Sequence, residues 1–266
     1  KDKVIWVTGA SSGIGEALVH CLAEQGAKLI LTSRNADKLN AVAKNTHLTQ
    51  DQYLIIPMDM SHLTQAMVTQ MLAKIIEKFD RLDMVFLNAG VTQRYNALDN
   101  LTLEVDRQLM EINFFAPILM AKIIADHFKQ QGGGHIVVTS SIFGKMGFPG
   151  RTIYCASKHA LHGFFDSLRI ELSADKVQCS LAVLGAIKTQ VSFNALTATG
   201  EAYNQQGRWQ TQGYPAMRCA TKMLRYVTKG TPEFVIGGRE LWGLRIRRWL
   251  PRLYTRLARK YIVNTQ

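Results

Sequence analysis

An α/β fold built on a parallel sheet is the fold class that the sequence predicts. Short apolar runs alternate along the chain with longer segments of helical periodicity, the order typical of strands joined by crossover helices. A glycine-rich turn follows the first apolar run, as at the start of many βαβ units. No repeat or linker divides the 266 residues, so we expect one domain over residues 1–238 and a basic tail over residues 239–266.

The composition is that of a globular protein and limits its class. Apolar residues make up 47% of the chain, and the mean hydropathy is −0.03. No apolar run approaches the ~18 residues that span a bilayer, and no signal-peptide pattern follows Lys1. The four cysteines lack metal-ligand spacing, so we predict no metal site, no disulfide and a reducing, cytoplasmic environment.

The first predicted strand, Val4–Val7, leads into a glycine-rich turn and then a helix that ends near Gly26. Glycine permits a tight turn and lets backbone N–H groups approach a pyrophosphate at the helix N-terminus. The alternative is an ordinary turn whose glycines only allow helix packing. We predict cofactor contacts from the residues of this turn: Gly9, Ser11, Ser12, Gly13, Ile14 and Gly15.

The end of the second predicted strand, Lys28–Thr32, indicates which dinucleotide binds. NAD-dependent enzymes often place an acidic residue there, where it accepts from the 2′-hydroxyl of the adenosine ribose. This chain has Ser33 and Arg34 instead, a hydroxyl and a cation that suit a 2′-phosphate. The pair predicts NADP(H) as the cofactor, unless Arg34 is an ordinary surface residue.

Two further predicted strands, Tyr53–Pro57 and Met84–Leu87, end in polar or small residues. After the first strand, Asp59 either accepts from the adenine amino group or caps the helix that begins near His62. The residues after the second strand leave room for the cofactor ring. We predict that five residues at these strand ends contact the cofactor: Asp59, Met60, Asn88, Ala89 and Gly90.

A serine, a tyrosine and a lysine form the candidate catalytic group. Tyr154 and Lys158 are four residues apart, so they project from one face of a helix, and Ser141 follows a predicted strand, His135–Thr139. A lysine ammonium lowers the pKa of a nearby phenol and makes it usable as a proton donor or acceptor. Such a site moves a proton on or off a carbonyl oxygen, whereas an isolated Tyr-x-x-x-Lys pair is usually only solvated.

Asn113 lies in an apolar stretch over residues 101–130, which the periodicity predicts to be one or two long helices. A buried asparagine needs hydrogen-bond partners, and Pro117 frees backbone groups near it. Asn113 therefore either bonds these groups as a structural residue or holds a water or backbone group for Lys158.

These motifs together resemble the classical short-chain dehydrogenase/reductase family. The resemblance covers residues 3 to about 240 and rests on motifs in the family's order: Thr8-Gly-x-x-x-Gly13-Ile14-Gly15, Asn88-Ala89-Gly90, Asn113, Ser141 and Tyr154-x-x-x-Lys158. It implies a Rossmann-like, doubly wound sheet of about seven parallel strands with helices on both faces. It also implies NADP(H) use through Arg34.

The roles of the catalytic residues follow from the same resemblance. Tyr154 would be the acid/base, and Lys158 would lower its pKa and bond the nicotinamide ribose. Ser141 would orient the substrate carbonyl, and Asn113 would support a proton-relay water.

One position departs from the family pattern. After the sixth predicted strand, Gln178–Val183, the family has Pro-Gly, and this chain has Leu184-Gly185. Gly185 still allows close approach to the nicotinamide, and Ile187 and Thr189 are predicted to meet its carboxamide. Without proline we expect a less rigid loop.

The last two features are a turn-rich segment and a basic tail. Residues 190–215 correspond to the family's mobile substrate lid. In the tail, apolar residues from Trp242 to Leu257 form one helical stripe, and arginines from Arg245 to Arg259 form another. Pro251 either opens a second helix or kinks the first. Lid and tail together are most similar to the branch called dehydrogenase/reductase member 7.

The tail leaves two interpretations open. A basic amphipathic helix carrying tryptophans is typical of peripheral membrane contact. The alternative is a helix docked on its own domain or on a dimer partner. No nucleic-acid motif accompanies the eight basic residues between Arg239 and Lys260, so we expect no nucleic-acid partner.

The function predicted is an NADP(H)-dependent oxidoreductase that interconverts a carbonyl and a secondary alcohol, with a hydrophobic or lipid-like small molecule as substrate. The resemblance implies a homo-oligomer, either a dimer or a tetramer. One alternative is a catalytically silent cofactor-sensing or scaffold protein on the same fold. Another is a sugar-nucleotide epimerase, whose longer substrate domain and Gly-x-x-Gly-x-x-Gly loop are missing from this sequence.

Overall fold

The structure, a computed structural model, describes residues 2–205, 207 and 211–263. Its strands, in chain order, are β1 Val4–Thr8, β2 Lys28–Ser33, β3 Tyr53–Pro57, β4 Met84–Leu87, β5 Gly134–Ser141, β6 Val177–Leu184, β7 Ile187–Lys188, β8 Tyr214–Pro215 and β9 Glu233–Ile236. Its helices are α1 Gly13–Glu24, α2 Ala36–Lys44, α3 Gln65–Phe79, α4 Glu104–Met110, α5 Ala116–Gln131, α6 Thr152–Glu171, α7 Ala216–Val227, α8 Trp242–Trp249 and α9 Pro251–Val263.

Seven strands form one parallel sheet in the order β3-β2-β1-β4-β5-β6-β9, and β7 pairs separately with β8. The order of the strands reverses between β1 and β4, so the crevice at their carboxyl ends is where such sheets bind ligands. The predicted doubly wound fold with about seven parallel strands is confirmed.

Helices cover both faces of the sheet, which explains why its strands are nearly continuous apolar runs. On one face, Trp6 and Val85 pack among residues of α3 and α5, and on the other, Val7 and Leu31 pack among residues of α1 and α7. The one polar group of Trp6 is satisfied, because its indole N–H donates to Thr32 Oγ1 at 2.8 Å. The core therefore fixes the strand ends that carry the candidate site.

Residues 104–131 form one continuous helix, the first of the two alternatives predicted for residues 101–130. α4 continues through a π-helical segment, Glu111–Phe115, directly into α5, and Pro117 lies in the first turn of α5, where its missing N–H is tolerated. The continuous helix Glu104–Gln131 is long and apolar enough to cross a membrane, which corrects our expectation about apolar runs. Half of its most apolar window is buried inside the protein, as in the core helix of a soluble fold.

β5 begins and ends beyond its predicted limits. Gly134, expected in the preceding loop, pairs with Val177 of β6, and Ser141 is the last residue of the strand instead of following it. A Cβ at Gly134 would lie 2.3 Å from the Phe128 ring, so glycine allows α5 to pack against the start of β5. At the other end of the strand, Ser141 is held in the sheet because it pairs with Leu184 of β6.

Candidate active site

One cavity of about 410 Å³ lies along the carboxyl ends of the parallel strands. Of the predicted site residues, all but Gly15 and Asn113 line it: Gly9, Ser11, Ser12, Gly13, Ile14, Ser33, Arg34, Asp59, Met60, Asn88, Ala89, Gly90, Ser141, Tyr154, Lys158, Gly185, Ile187 and Thr189. Gly15 and Asn113 are buried just behind the wall of the cavity. The structure thus brings the predicted cofactor residues and catalytic residues together in one place.

The glycine turn forms a cradle that side chains would fill. Gly9 and Gly13 have φ of +67° and +60°, a region that favours glycine. A Cβ at Gly15 would lie 2.0 Å from the carbonyl oxygen of Gly9, so α1 packs directly against the turn. The N-cap residue Ser12 makes no side-chain cap hydrogen bond. This cradle at the N-terminus of α1 fits a pyrophosphate.

Cations lie at the end of the cavity next to β2. Arg34 is exposed and lines the cavity, as does Lys38, a residue that the sequence analysis did not single out. Lys38 is brought there because its backbone N–H donates to the side chain of Asn35, which caps α2. Two cations at the same strand end suit a phosphate group better than a hydroxyl.

Asp59 acts as a helix cap, one of the two alternatives for this residue. Its Oδ1 accepts from the backbone N–H of Ser61 at 2.9 Å and from the Ser61 hydroxyl at 2.7 Å, at the start of a 3₁₀ turn. Burial raises the pKa of Asp59, but these hydrogen bonds and the charge of Arg34 outweigh it, so the pKa is lowered. The contact of Asp59 with adenine stays a prediction.

Thr8 positions the segment Asn88–Gly90. Its hydroxyl accepts from the backbone N–H groups of Asn88 and Ala89 at 2.9 and 3.0 Å, and the Asn88 amide donates to the Thr8 carbonyl. Thr139 in turn donates to Asn88 Oδ1 at 3.2 Å. The ends of β1, β4 and β5 are thereby joined where the cofactor ring is predicted to pass.

Ser141, Tyr154 and Lys158 meet at the other end of the cavity. The Ser141 hydroxyl lies close enough to the Tyr154 phenol to lower its pKa, and it accepts from the backbone N–H of Phe143 at 3.2 Å. Lys158 Nζ lies 5.8 Å from the centre of the Tyr154 ring and donates to the carbonyl oxygen of Thr139 at 2.9 Å. A hydroxyl, a phenol and an amine arranged in this way can hold an oxygen atom and exchange a proton with it.

The pKa of Tyr154 differs from the expectation of a lowered value. Burial raises the pKa of this phenol, and the nearby Ser141 hydroxyl offsets only part of that effect. Burial also lowers the pKa of Lys158 to about 8, and its ammonium is directed to Thr139 instead of the phenol oxygen. A raised pKa keeps Tyr154 protonated at neutral pH, the form that donates a proton.

The Asn113 side chain forms hydrogen bonds with a segment distant in sequence and not with the neighbouring turns of its own helix. It lies in the π-helical segment, where its amide donates to the Val91 carbonyl and accepts from the Val91 N–H, both at 2.9 Å. A Cβ at Gly90 would lie 3.0 Å from Asn113 Oδ1 and 3.6 Å from Lys158 Nζ. Asn113 thus fixes the backbone beside Lys158, and its contact with a relay water stays a prediction.

Gln93 is a site residue that the sequence analysis missed. Its side chain is fully buried, and its Oε1 accepts from the backbone N–H groups of Ile153 and Tyr154 at 2.9 and 3.1 Å. Its amide donates to the Tyr95 carbonyl and to the Thr152 hydroxyl. Gln93 therefore caps the first turn of α6 and fixes Tyr154. It forms no motif with its sequence neighbours, so no pattern revealed it.

Replacing Gln93 by Met is expected to lower the free energy of unfolding by about 3 kcal/mol, because buried polar groups on α6 lose their partners at about 1–3 kcal/mol each. We expect kcat to fall as well, since Tyr154 loses its backbone anchor. Urea unfolding measures the first effect. Gln70→Met, at an exposed position on α3, is the matched control. Equal stability of the two variants would contradict the capping role.

The loop after β6 is held by the tail. Glu240 Oε1 accepts from the backbone N–H of Ala186 at 2.9 Å, and a Cβ at Gly185 would lie 2.1 Å from the same oxygen. Gly238 N–H donates to Glu240 too. This carboxylate fastens the segment that carries Pro-Gly in the family pattern. The lower rigidity of the loop stays a prediction.

The predicted lid is partly described. Leu196 pairs with the segment after β4, since its N–H donates to Thr92 and its carbonyl accepts from Arg94, both at 2.8 Å. The Arg94 guanidinium lies 4.8 Å from the centre of the Tyr203 ring. Residues 206 and 208–210 of the predicted lid lie outside the described residues. That the segment moves stays a prediction.

The tail forms two helices, and Pro251 lies at the start of the second, α9. Of the two predictions for Pro251, the one in which it opens a second helix is confirmed. Leu241, Leu244 and Tyr254 pack against Ile142 and its neighbours, and the Tyr254 hydroxyl donates to the Gly147 carbonyl. One face of the tail is therefore docked on its own domain.

The fold and the site define a class of protein: an oxidoreductase that binds a nicotinamide dinucleotide. The chain belongs to the family described as short chain dehydrogenase, whose sequence model matches residues 3–199. The predicted membership of the short-chain dehydrogenase/reductase family is confirmed.

Relatives of the member 7 branch are similar over most of their length. The "Dehydrogenase/reductase SDR family protein 7-like" of Drosophila melanogaster is 30% identical over 238 residues, 88% of this chain and 72% of the relative. The "Dehydrogenase/reductase SDR family member 7B" of Rattus norvegicus is 31% identical over 97% of this chain and 80% of the relative. The predicted resemblance to this branch is confirmed.

Solved structures share the fold. A short-chain dehydrogenase/reductase from Burkholderia phymatum in complex with NAD has a TM-score of 0.82 at 22% identity, covering 95% of both chains. An alcohol dehydrogenase from Thermococcus sibiricus complexed with 5-hydroxy-NADP has a TM-score of 0.73 at 26% identity, covering 90% of this chain and 97% of the other.

Proposed function

We propose that this protein is an NADP(H)-dependent reductase that converts a hydrophobic or lipid-like ketone into a secondary alcohol. The main observation behind the proposal is that one cavity joins the glycine cradle to Ser141, Tyr154 and Lys158. The cofactor's phosphates would lie on the cradle, and its ring would lie beside Asn88–Gly90. Of the similar structures, one holds NAD and the other 5-hydroxy-NADP, so the choice between NAD and NADP depends on this chain's own residues.

The residues of the site divide the chemistry among them. When bound, NADPH supplies the hydride that adds to the carbonyl carbon. Ser141 holds the carbonyl oxygen, and Tyr154 donates its phenolic proton to that oxygen, which completes the alcohol. The Lys158 ammonium stabilises the phenolate that is left, and the phenolate regains its proton from solvent. The raised pKa of Tyr154 keeps the phenol protonated, the form in which it can donate this proton.

Apolar side chains at the catalytic end support a hydrophobic substrate. Ile142, Phe143, Phe148 and Val191 line the cavity, and the Phe143 ring lies 6.3 Å from the Tyr154 ring. Arg94 lines the cavity as well, and its Nε is buried without a hydrogen-bond partner in the described part of the chain. A hydrogen-bond acceptor on the substrate would satisfy this group.

Arg34→Ala is expected to raise the Kd for NADPH about 10–100-fold, because a charge-assisted hydrogen bond to the 2′-phosphate contributes about 1.5–3 kcal/mol. The Kd for NADH should stay within about twofold, since NADH lacks that phosphate. Fluorescence titration of both variants with both cofactors measures the difference. Arg225→Ala, at an exposed position on α7, is the control. Equal losses for NADPH and NADH would contradict NADP(H) selectivity.

We also propose a cytoplasmic homo-oligomer, a dimer or a tetramer. All four cysteines are free and buried, which suits a reducing compartment. Phe115 and Ile170 expose large apolar side chains on neighbouring helical segments, and a second copy of the chain would cover them.

A further inference from the structure

The outer surface of the tail is apolar and exposed. Its two helices turn a set of large side chains to solvent, which we name the outer tail face: Trp242, Trp249, Leu250, Leu253 and Leu257. Trp249 is 73% exposed and Trp242 is 61% exposed. Exposed apolar side chains scattered singly are normal, but five within sixteen residues of sequence form a patch that marks an interaction surface.

Positive charge surrounds this face. Seven basic residues lie between Arg245 and Lys260 with no acidic residue among them. Within the described chain, none of the seven forms an ion pair with a carboxylate. The Arg245 guanidinium lies 4.8 Å from the Trp242 ring, and that of Arg248 lies 5.4 Å from the Trp249 ring. Arginine and tryptophan are thus side by side on the surface.

The tail is also anchored to the domain through its other face. Glu240 holds the loop after β6, and Leu244 and Tyr254 pack on Ile142 and Met146. The docked face and the outer tail face are therefore different faces of the same helices. The tail is docked on its own domain, as one of the two alternatives predicted. The outer tail face is nevertheless open for a partner.

We propose that the outer tail face binds a membrane surface that carries anionic lipids, with its tryptophans and leucines at the headgroup boundary and its arginines on the phosphates. Interfacial helices combine apolar area with basic residues in this way. A second copy of the chain fits less well, because it would bring two sets of seven like charges together. A nucleic acid would pair with the arginines but leave the leucines in water. The proposal does not depend on the reductase activity.

Vesicle sedimentation with the full chain tests the proposal. We expect binding to phosphatidylcholine vesicles that contain phosphatidylglycerol, and much weaker binding to phosphatidylcholine alone. The double variant Arg252→Gln, Arg256→Gln should reduce the partition coefficient about 30-fold, since each arginine contributes about 1 kcal/mol near an anionic surface. Trp249→Ala with Leu253→Ala should reduce it about tenfold or more by removing apolar area.

Matched double variants elsewhere on the surface control for general charge and apolar area. Arg218→Gln with Arg225→Gln removes two exposed cations from α7, and Leu98→Ala with Leu101→Ala removes two leucines that are more than 80% exposed. Both should bind vesicles like wild type, and circular dichroism should show all four variants folded.

Three results would overturn the proposal. The first is wild-type protein that stays in the supernatant with anionic vesicles. The second is equal loss of binding in the control and tail variants. The third is self-association that Trp249→Ala with Leu253→Ala abolishes while vesicle binding is unchanged, which would assign the face to a second copy.

Discussion

Replacing Tyr154 by Phe is expected to lower kcat/KM for ketone reduction by about 10²–10⁴-fold, the contribution of a positioned general acid. The substitution removes only the phenolic oxygen, which lies near the Ser141 hydroxyl, and leaves the ring that packs beside Phe143. The cofactor end of the cavity is untouched, so the Kd for NADPH should not change. Steady-state kinetics and a cofactor titration on the same preparation separate the two effects.

Tyr226→Phe is the matched control for this variant. Tyr226 stacks on Phe234 at the far edge of the sheet, and its loss of a hydroxyl should leave kcat/KM unchanged. Near-normal turnover by Tyr154→Phe would remove Tyr154 from the chemistry. Loss of NADPH binding by the same variant would instead assign it a role in holding the cofactor.

Among alanine substitutions at the glycines of the cofactor cradle, Gly15→Ala is expected to be the most destabilising. The added Cβ would lie 2.0 Å from the Gly9 carbonyl oxygen and 2.7 Å from its carbonyl carbon, both backbone atoms of the turn. Since neither can move without shifting α1 or β1, we expect a loss of about 1–3 kcal/mol in the free energy of unfolding. The Kd for NADPH should rise at least about tenfold, because the turn that holds the pyrophosphate is displaced.

Gly163→Ala provides the contrast. Gly163 lies in the exposed face of α6, and a Cβ there meets nothing within 4 Å. Alanine in a helix is favoured over glycine by about 0.8–1 kcal/mol, so this variant should be as stable as wild type or more so. If Gly15→Ala had the same free energy of unfolding and the same Kd for NADPH as Gly163→Ala, the close packing of α1 on the turn would be contradicted.

Much of the fold followed from local patterns. The strands β1, β3 and β4 were predicted nearly to the residue, because each is a short apolar run that ends in polar or small residues. The limits of β5 were wrong, since Gly134 joins the strand only through the fit of Phe128 against it, a tertiary contact. The sequence pattern allowed either one or two helices around Asn113, because it does not reveal the π-helical segment that precedes Pro117.

The site was predictable where its residues form motifs and not where they act alone. Tyr154 and Lys158 carry a helical spacing, and the glycines carry a turn pattern, so the sequence indicates both. Gln93 and Glu240 act through single side chains that reach backbone groups distant in sequence. The pKa of Tyr154 was misjudged because burial depends on the packed structure and outweighs the effect expected from a neighbouring lysine.

Transfer of deuterium from NADPH, labelled at its transferable position, to a ketone carbon is the most direct test of reduction by this protein. A panel of ketones with apolar chains of increasing length would be incubated with the full chain, and the products analysed by mass spectrometry and NMR. We predict deuterium on the carbinol carbon with wild-type protein and none with Tyr154→Phe. Tight NADPH binding without label in any product would contradict the reductase function and favour a catalytically silent cofactor-sensing or scaffold protein.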